Sequence, residues 1–328
     1  MEFLGIVAQN LLSPAILFFA LGVLAGCVKS DLSVPESISR YLSIYLMMAI
    51  GFKGGVAIAG TEAITSTLLL VLLAGVGLSF AQPFAAYGLL RLTTRLDTPT
   101  QAAIAGHYGS VSIVTFVTAV SFLGQAGVSH ESYVVAVLAL MEAPAILSAL
   151  YIAHRAAPET AASSRQSGGR LMREILTNGA IMLLLGSFVV GMLTGEAGMA
   201  KLEGFLVTPF QGVLALFLLD MGLLVARQLH QMRAFSLGLA AFGIYAPLLG
   251  AGAGLAVAWM LGLDAGTGTL FMVLCGSASY IAVPAAMRLA LPEAKAAIYL
   301  PLSLAITFPF NICLGIPLYL WAAQAVLG

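Results

Sequence analysis

Charge is what this chain has least of. Lys, Arg, Asp and Glu together make up 9% of its 328 residues, against 60% for the hydrophobic types. A water-soluble domain carries about 25% charged residues, so this chain cannot cover itself for water, and a soluble enzyme or binding module is excluded. The 14 basic residues balance the 14 acidic ones. No basic run interrupts the sequence, and nothing in it fits a nucleic-acid partner. Histidine and cysteine are as sparse, at four and three. Scattered as they are, they supply neither a nucleophile–base pair nor a metal cluster, so no enzyme and no cofactor is expected. Cys27, Cys275 and Cys313 lie in or beside apolar stretches at no ligand spacing, and read as small buried hydrophobes.

What is there is a succession of apolar runs, with a mean hydropathy of +1.02. Windows of about 20 apolar residues mark membrane spans. They place ten, near 11–27, 38–58, 64–90, 99–123, 132–153, 175–195, 205–226, 234–261, 267–290 and 296–323. The "LAGC" stretch at Leu24–Cys27 looks like a lipoprotein cleavage box. A signal peptide needs basic charge ahead of its apolar run, and the first basic residue is Lys29. The stretch is therefore read as an ordinary first span.

The basic residues test this count. With the N-terminus outside, the inner loops hold Lys29, Arg40, Arg91, Arg95, Arg155, Arg165, Arg170, Arg173, Arg227, Arg233, Arg288 and Lys295, which is 12 of the 14. Lys201 falls outside, and Lys53 lies near the outer end of span 2, where it can snorkel to the interface. Such sorting follows the positive-inside rule and puts both termini outside. The one long hydrophilic segment, within 154–174, reads as a flexible cytoplasmic linker. It separates a first five-span unit, 1–153, from a second, 175–328.

The two units repeat. At an offset of 167 residues Asp97 matches Asp264, Thr100 matches Thr267, and "GSVS" (Gly109–Ser112) matches "GSAS" (Gly276–Ser279). Tyr133 and Tyr299 match at an offset of 166. Gly22 and Gly26 correspond to Gly191 and Gly195, and Gly51 to Gly222. An odd number of spans per unit forces the second to insert upside down, the inverted-repeat layout of secondary transporters. Glycine and serine would then break helices 4 and 9 where they cross at the midplane. Exposed N–H groups at the two half-helix N-termini would form a site for a small anion. A single Gly-Ser-x-Ser is also a common helix-packing surface; two copies at equivalent positions favour the broken-helix reading.

Polar groups inside spans are functional candidates. Glu142 is a sodium ligand, a proton carrier or a structural hydrogen-bond acceptor. Asn311 lines the same site or bonds backbone freed by Pro309. His107 couples transport to protons or is a buried neutral ring bonded to backbone. Tyr280 bonds substrate or packs beside the break. Pro83 and Pro247 are expected to kink spans 3 and 8. Asp220, in the inner half of span 7, has no evident partner.

At these residues the chain resembles the SbtA-type sodium-dependent bicarbonate transporters. The likeness is most specific in "GSASYIAVPAAMRLALPEAKAAIYLPLSLAITFPFNICLGIPLYL" (Gly276–Leu320). "VPESI" (Val34–Ile38), "IGFKGGVAI" (Ile50–Ile58) and "MEAPAILSAL" (Met141–Leu150) also fit. The resemblance implies an all-α fold of ten helices with a gate domain from spans 1, 2, 6 and 7 and a core domain from the rest. It also implies a homotrimer and, in some members, a PII-like regulatory protein on the cytoplasmic face. The candidate substrate site is then Gly109, Ser110, Ser112, Gly276, Ser277, Ser279 and Tyr280. Ser112, Thr115, Glu142 and Asn311 are the candidate ligands for sodium as coupling ion. The function expected is sodium-coupled bicarbonate uptake across a bacterial inner membrane; the alternative is sodium- or proton-coupled transport of another small anion, such as a short carboxylate.

Overall fold

A computed structural model describes residues 3–60, 66–156, 179–232, 235–280, 283–284, 287 and 291–328. Nearly all of the linker expected at 154–174 lies outside the described residues, as do Arg165, Arg170, Arg173, Arg233 and Arg288. Among the described residues the chain is helical and has no strand. The helices are α1 (Phe3–Leu11), α2 (Pro14–Cys27), α3 (Glu36–Ala59), α4 (Ser66–Thr93), α5 (Thr98–Gly109), α6 (Ile113–Gln125) and α7 (Val134–Ala156). They continue with α8 (Gly179–Leu206), α9 (Phe210–Met232), α10 (Leu237–Met260), α11 (Ala265–Cys275) and α12 (Ala296–Leu327). Seven described helices are long and apolar enough to cross a membrane, counting α5 and α6 as one, and α1 with α2 makes an eighth if that bent pair is one span. The chain is a polytopic membrane protein.

Three expectations need correction. The first apolar segment is not one helix over 11–27. Helix starts at Phe3 and turns by 64° before α2, because Ser13 is extended and Pro14 opens a new helix without a donor of its own. The bend is tied down by Asn10, whose side-chain amide donates to the carbonyls of Ile312 at 2.7 Å and Cys313 at 3.2 Å. Those carbonyls belong to a π-helical turn of α12, Asn311–Gly315, where the looser ladder leaves acceptors free. The sixth segment does not end at 195. Gly195 leaves helical geometry at φ 55°, ψ −150°, and a second helical piece then runs to Leu206. Cys27, at the end of α2, is exposed rather than buried, while Cys275 is buried.

Two helix pairs meet closely, α2 with α9 and α3 with α8. In lipid no hydrophobic effect draws helices together, so small residues that admit close backbone approach decide the pairing. A Cβ on Gly22 would overlap the Leu219 carbonyl oxygen, and one on Gly222 would overlap that of Phe19. In the other pair a Cβ on Gly55 would overlap the carbonyl oxygen of Phe188, and one on Gly191 that of Phe52.

The repeat seen in the sequence does the same local work twice. Asp97 and Asp264 are N-caps, each accepting the N–H of the residue three ahead, Thr100 and Thr267, at 2.9 Å. Thr100 Oγ1 accepts the Lys295 N–H at 3.1 Å, and Thr267 Oγ1 accepts the Glu131 N–H at 2.9 Å. Each half thus pins a loop of the other.

Asp97 also faces the Lys295 ammonium at 2.8 Å. Burial tends to raise the Asp97 pKa, but Lys295 and Thr100 outweigh it and hold the carboxyl below its usual range. A depressed folded-state value gives stability that is present above the unfolded pKa, about 3.9, and is lost as pH falls through the folded value. Asp97→Ala should therefore cost about 1 kcal/mol at pH 7. Thermal unfolding in detergent should show that difference shrinking below about pH 4; a difference independent of pH would mean the ionised cap contributes nothing.

Candidate functional site

The span formed by α5 and α6 is buried almost throughout, which is what a polar break at membrane depth requires. Helix α5 stops at Gly109, the backbone runs extended through Ser110 to Ser112, and α6 starts at Ile113. Helix α11 stops at Cys275, and Ser277–Ser279 are non-helical before helical residues reappear at 283–284. Each break begins where a glycine lies against a proline-bearing helix. A Cβ on Gly109 would overlap the Pro83 ring of α4, and one on Gly276 would lie 2.9 Å from the Pro247 carbonyl oxygen of α10. Pro247 cannot bond the Gly243 carbonyl four residues back; that oxygen accepts the Thr307 hydroxyl at 2.7 Å instead.

The two breaks are joined to each other. The Ser112 N–H donates to Ser277 Oγ at 3.0 Å, and the Ser279 N–H donates to the His107 carbonyl at 2.9 Å. His107 Nδ1 lies 2.5 Å from the Ser279 carbonyl oxygen. A carbonyl only accepts, so Nδ1 carries the proton. Nε2 is buried and has no partner among the described residues, and the ring lies 4.8 Å from that of Tyr299. This geometry fits the reading of His107 as a buried ring bonded to backbone.

The serines expected to face a ligand are partly committed. Ser112 caps α6: its hydroxyl oxygen accepts the Thr115 N–H at 3.2 Å and the Thr115 hydroxyl at 2.9 Å. Ser279 caps the segment after the second break, accepting the Val283 N–H at 3.4 Å, and Ser277 Oγ donates to the Leu274 carbonyl at 3.3 Å. Ser110 donates to Glu142 Oε2 at 3.1 Å. Asn311 donates to the Gly276 carbonyl at 2.9 Å and accepts the Tyr319 hydroxyl at 2.8 Å. It therefore satisfies backbone opened by the second break, not backbone freed by Pro309.

A cavity of about 160 Å³, including the space at its mouth, lies between the breaks, lined by Val111, Ser112, Ile113, Glu142, Ser279 and Tyr280. The Tyr280 hydroxyl is beside Ser112 but makes no hydrogen bond of acceptable geometry. The N–H groups of Ile113 and Val114, in the first turn of α6, have no hydrogen-bond partner among the described residues, and Ile113 is also a wall of the cavity. Glu142, 2% exposed, has Ser110 as its described partner.

Residues 14–324 match the family model of the Na+-dependent bicarbonate transporter superfamily. The chain belongs to that superfamily. None of the curated proteins compared with it matches. In a member of the Na+-dependent bicarbonate transporter superfamily, this cavity brings one carboxylate together with hydroxyl groups from both breaks. Ser112, Ser279, Tyr280 and Glu142 line it directly. Gly109, Ser110, Thr115, Gly276, Ser277 and Asn311 are outside that lining, several of them bonded to it: Ser110 to Glu142, and Thr115 and Ser277 to Ser112. Two residues of this transporter escaped the sequence reading. Gln82 donates to the Cys275 carbonyl at 3.1 Å, beside the carbonyl that Asn311 satisfies, and Asn10 holds α12. Gln82 is a lone amide in an apolar stretch, and Asn10 follows Gln9 within another; a polar amide in such a stretch is the signal that could have found them.

Proposed function

We propose that the protein is a sodium-coupled importer of bicarbonate in a bacterial inner membrane. The observation that supports this reading is the cavity between the breaks, which has among its walls the Glu142 carboxylate and Ile113, whose first-turn N–H is unbonded among the described residues. An anion bound at the N–H groups would be repelled by Glu142, and in a medium of low dielectric that repulsion is large. A cation between them turns the repulsion into two attractions. Each ion then raises the affinity for the other by the same factor. The tight cavity suits a compact anion better than an extended carboxylate.

The architecture we infer is ten crossings in two inverted repeats of five, at 1–153 and 175–328. The paired caps Asp97 and Asp264, the reciprocal Thr100 and Thr267 bonds, and the glycine seams between α2 and α9 and between α3 and α8 support it. Exchange of the two repeats turns one glycine seam into the other. Those four helices would form the gate and the remainder the core. The sorting of basic residues supports an orientation with both termini outside.

Coupling also answers the energetics. A membrane potential of 100 mV, inside negative, opposes entry of a monovalent anion by about 2.3 kcal/mol. One accompanying sodium cancels that charge, and a tenfold sodium gradient then supplies about 1.4 kcal/mol, enough for tenfold accumulation. In proteoliposomes, labelled bicarbonate uptake should collapse when external sodium is replaced by choline at constant pH. Uptake that ignores sodium and follows an imposed proton gradient would sink this reading and make Glu142 a proton carrier.

A further inference from the structure

A second cavity lies apart from the breaks, among α3, α6, α7 and α9. It encloses about 540 Å³ including its open mouth, and its walls include Lys53, His130, Ser132, Ile50, Val120 and Phe210. The Lys53 ammonium sits 4.5 Å from the centre of the Phe210 ring. Among the described residues no carboxylate pairs with it. A lysine that merely snorkelled would reach into open water or headgroups; this one lines a recess whose other walls are largely apolar. Low-dielectric walls focus the field of such a charge into the space in front of it.

The recess is connected to the breaks by one helix. Ile113 of α6 is a wall of the break cavity and Val120 a wall of this one, seven residues and so about 10 Å apart along the axis. Between them Val114 and Val117 of α6 meet Leu46 and Met47 of α3 and Phe217 of α9 around a narrow apolar space. The order along the helix is thus the break cavity with Glu142, a largely apolar band and the recess with Lys53.

We propose that the recess around Lys53 is a capture site for small monovalent anions, where substrate waits outside the apolar band before reaching the breaks. The proposal rests on the reading of the protein as an anion importer, with the α3 end that carries Lys53 facing outwards. Lys53 acts by concentrating the anion and speeding its arrival, not by holding it during transport.

One test does not depend on transport. Ser132→Cys would be made in a background with Cys27, Cys275 and Cys313 replaced by alanine and with His130→Gln, so that Lys53 alone supplies the local positive charge. The rates of modification by a negatively charged sulfonatoethyl and a positively charged trimethylammonioethyl methanethiosulfonate are then compared in sealed, right-side-out vesicles. Lys53→Gln should lower the ratio of anionic to cationic rates by about tenfold at low ionic strength, and salt should erode that difference. Lys53→Arg should preserve the ratio. In the otherwise native protein, Lys53→Gln should raise the bicarbonate KM several-fold and leave kcat unchanged. An unchanged rate ratio would overturn the capture site, and so would a shifted ratio with an unchanged KM. If the native protein takes up no bicarbonate but the ratio still shifts, the importer reading fails and the anion recess stands.

Discussion

Gly276→Leu should abolish bicarbonate uptake, and Gly276→Ala should impair it severely. Gly276 opens the second break where α11 meets α10. A Cβ there would lie 2.9 Å from the Pro247 carbonyl oxygen and 3.0 Å from both the Met272 carbonyl oxygen and the Ala251 side chain. Two of those neighbours are backbone, which cannot swing aside. The Gly276 carbonyl also accepts the Asn311 amide, so displacing this turn orphans a buried donor. Overpacking of this kind costs about 1–3 kcal/mol, and the orphaned amide about as much again. The break would have to shift, carrying Ser277 and Ser279 away from Ser112 and His107. Detergent-purified variant should still be helical by circular dichroism, while uptake in proteoliposomes falls to background. Native uptake in Gly276→Leu would mean that the second break is not part of the site.

Glu142→Gln should reduce apparent sodium affinity by about a hundredfold or more. The carboxylate is buried in the cavity with one hydroxyl partner, Ser110. Glutamine keeps the size and can still accept that hydrogen bond, so the fold should survive. What it removes is the negative charge. Breaking a buried ion pair on one side costs about 3–5 kcal/mol, which sets the scale of the loss. The sodium dependence of uptake at saturating bicarbonate is the measurement that reads it. An unchanged sodium dependence would reduce Glu142 to a hydrogen-bond acceptor that positions the first break.

Much of this was legible in the sequence because a membrane punishes exceptions. Polar residues in the 109–112 and 276–279 segments stood out against their apolar surroundings, and the offset of 167 that linked them also linked Asp97 to Asp264. From α3 to α7, and again in α10 and α12, the helices follow the hydrophobic windows to within a few residues. Three things were hidden. The α1–α2 bend and the helical piece after Gly195 are set by single backbone positions within stretches that stay apolar or helix-compatible on both sides. Asn10 and Gln82 are amides whose partners lie some 300 and 190 residues away, a distance no local pattern spans. The capping role of the serines was hidden in a different way. Their spacing marked the breaks, but a hydroxyl at a helix start caps that helix first, so Ser112 serves Thr115. The N–H groups left unbonded among the described residues at the start of α6 belong to apolar residues, Ile113 and Val114, whose side chains advertise nothing.

The stitching between the two breaks limits how the cavity can ever open. Pulling its walls apart would sever the Ser112 bond to Ser277 and the paired contacts of His107 with Ser279. Each buried group left unpaired would cost about 1–3 kcal/mol, and no water waits at that depth to replace the lost partners. Any motion that exposes the cavity to either side of the membrane is therefore expected to carry both breaks together, with these bonds intact.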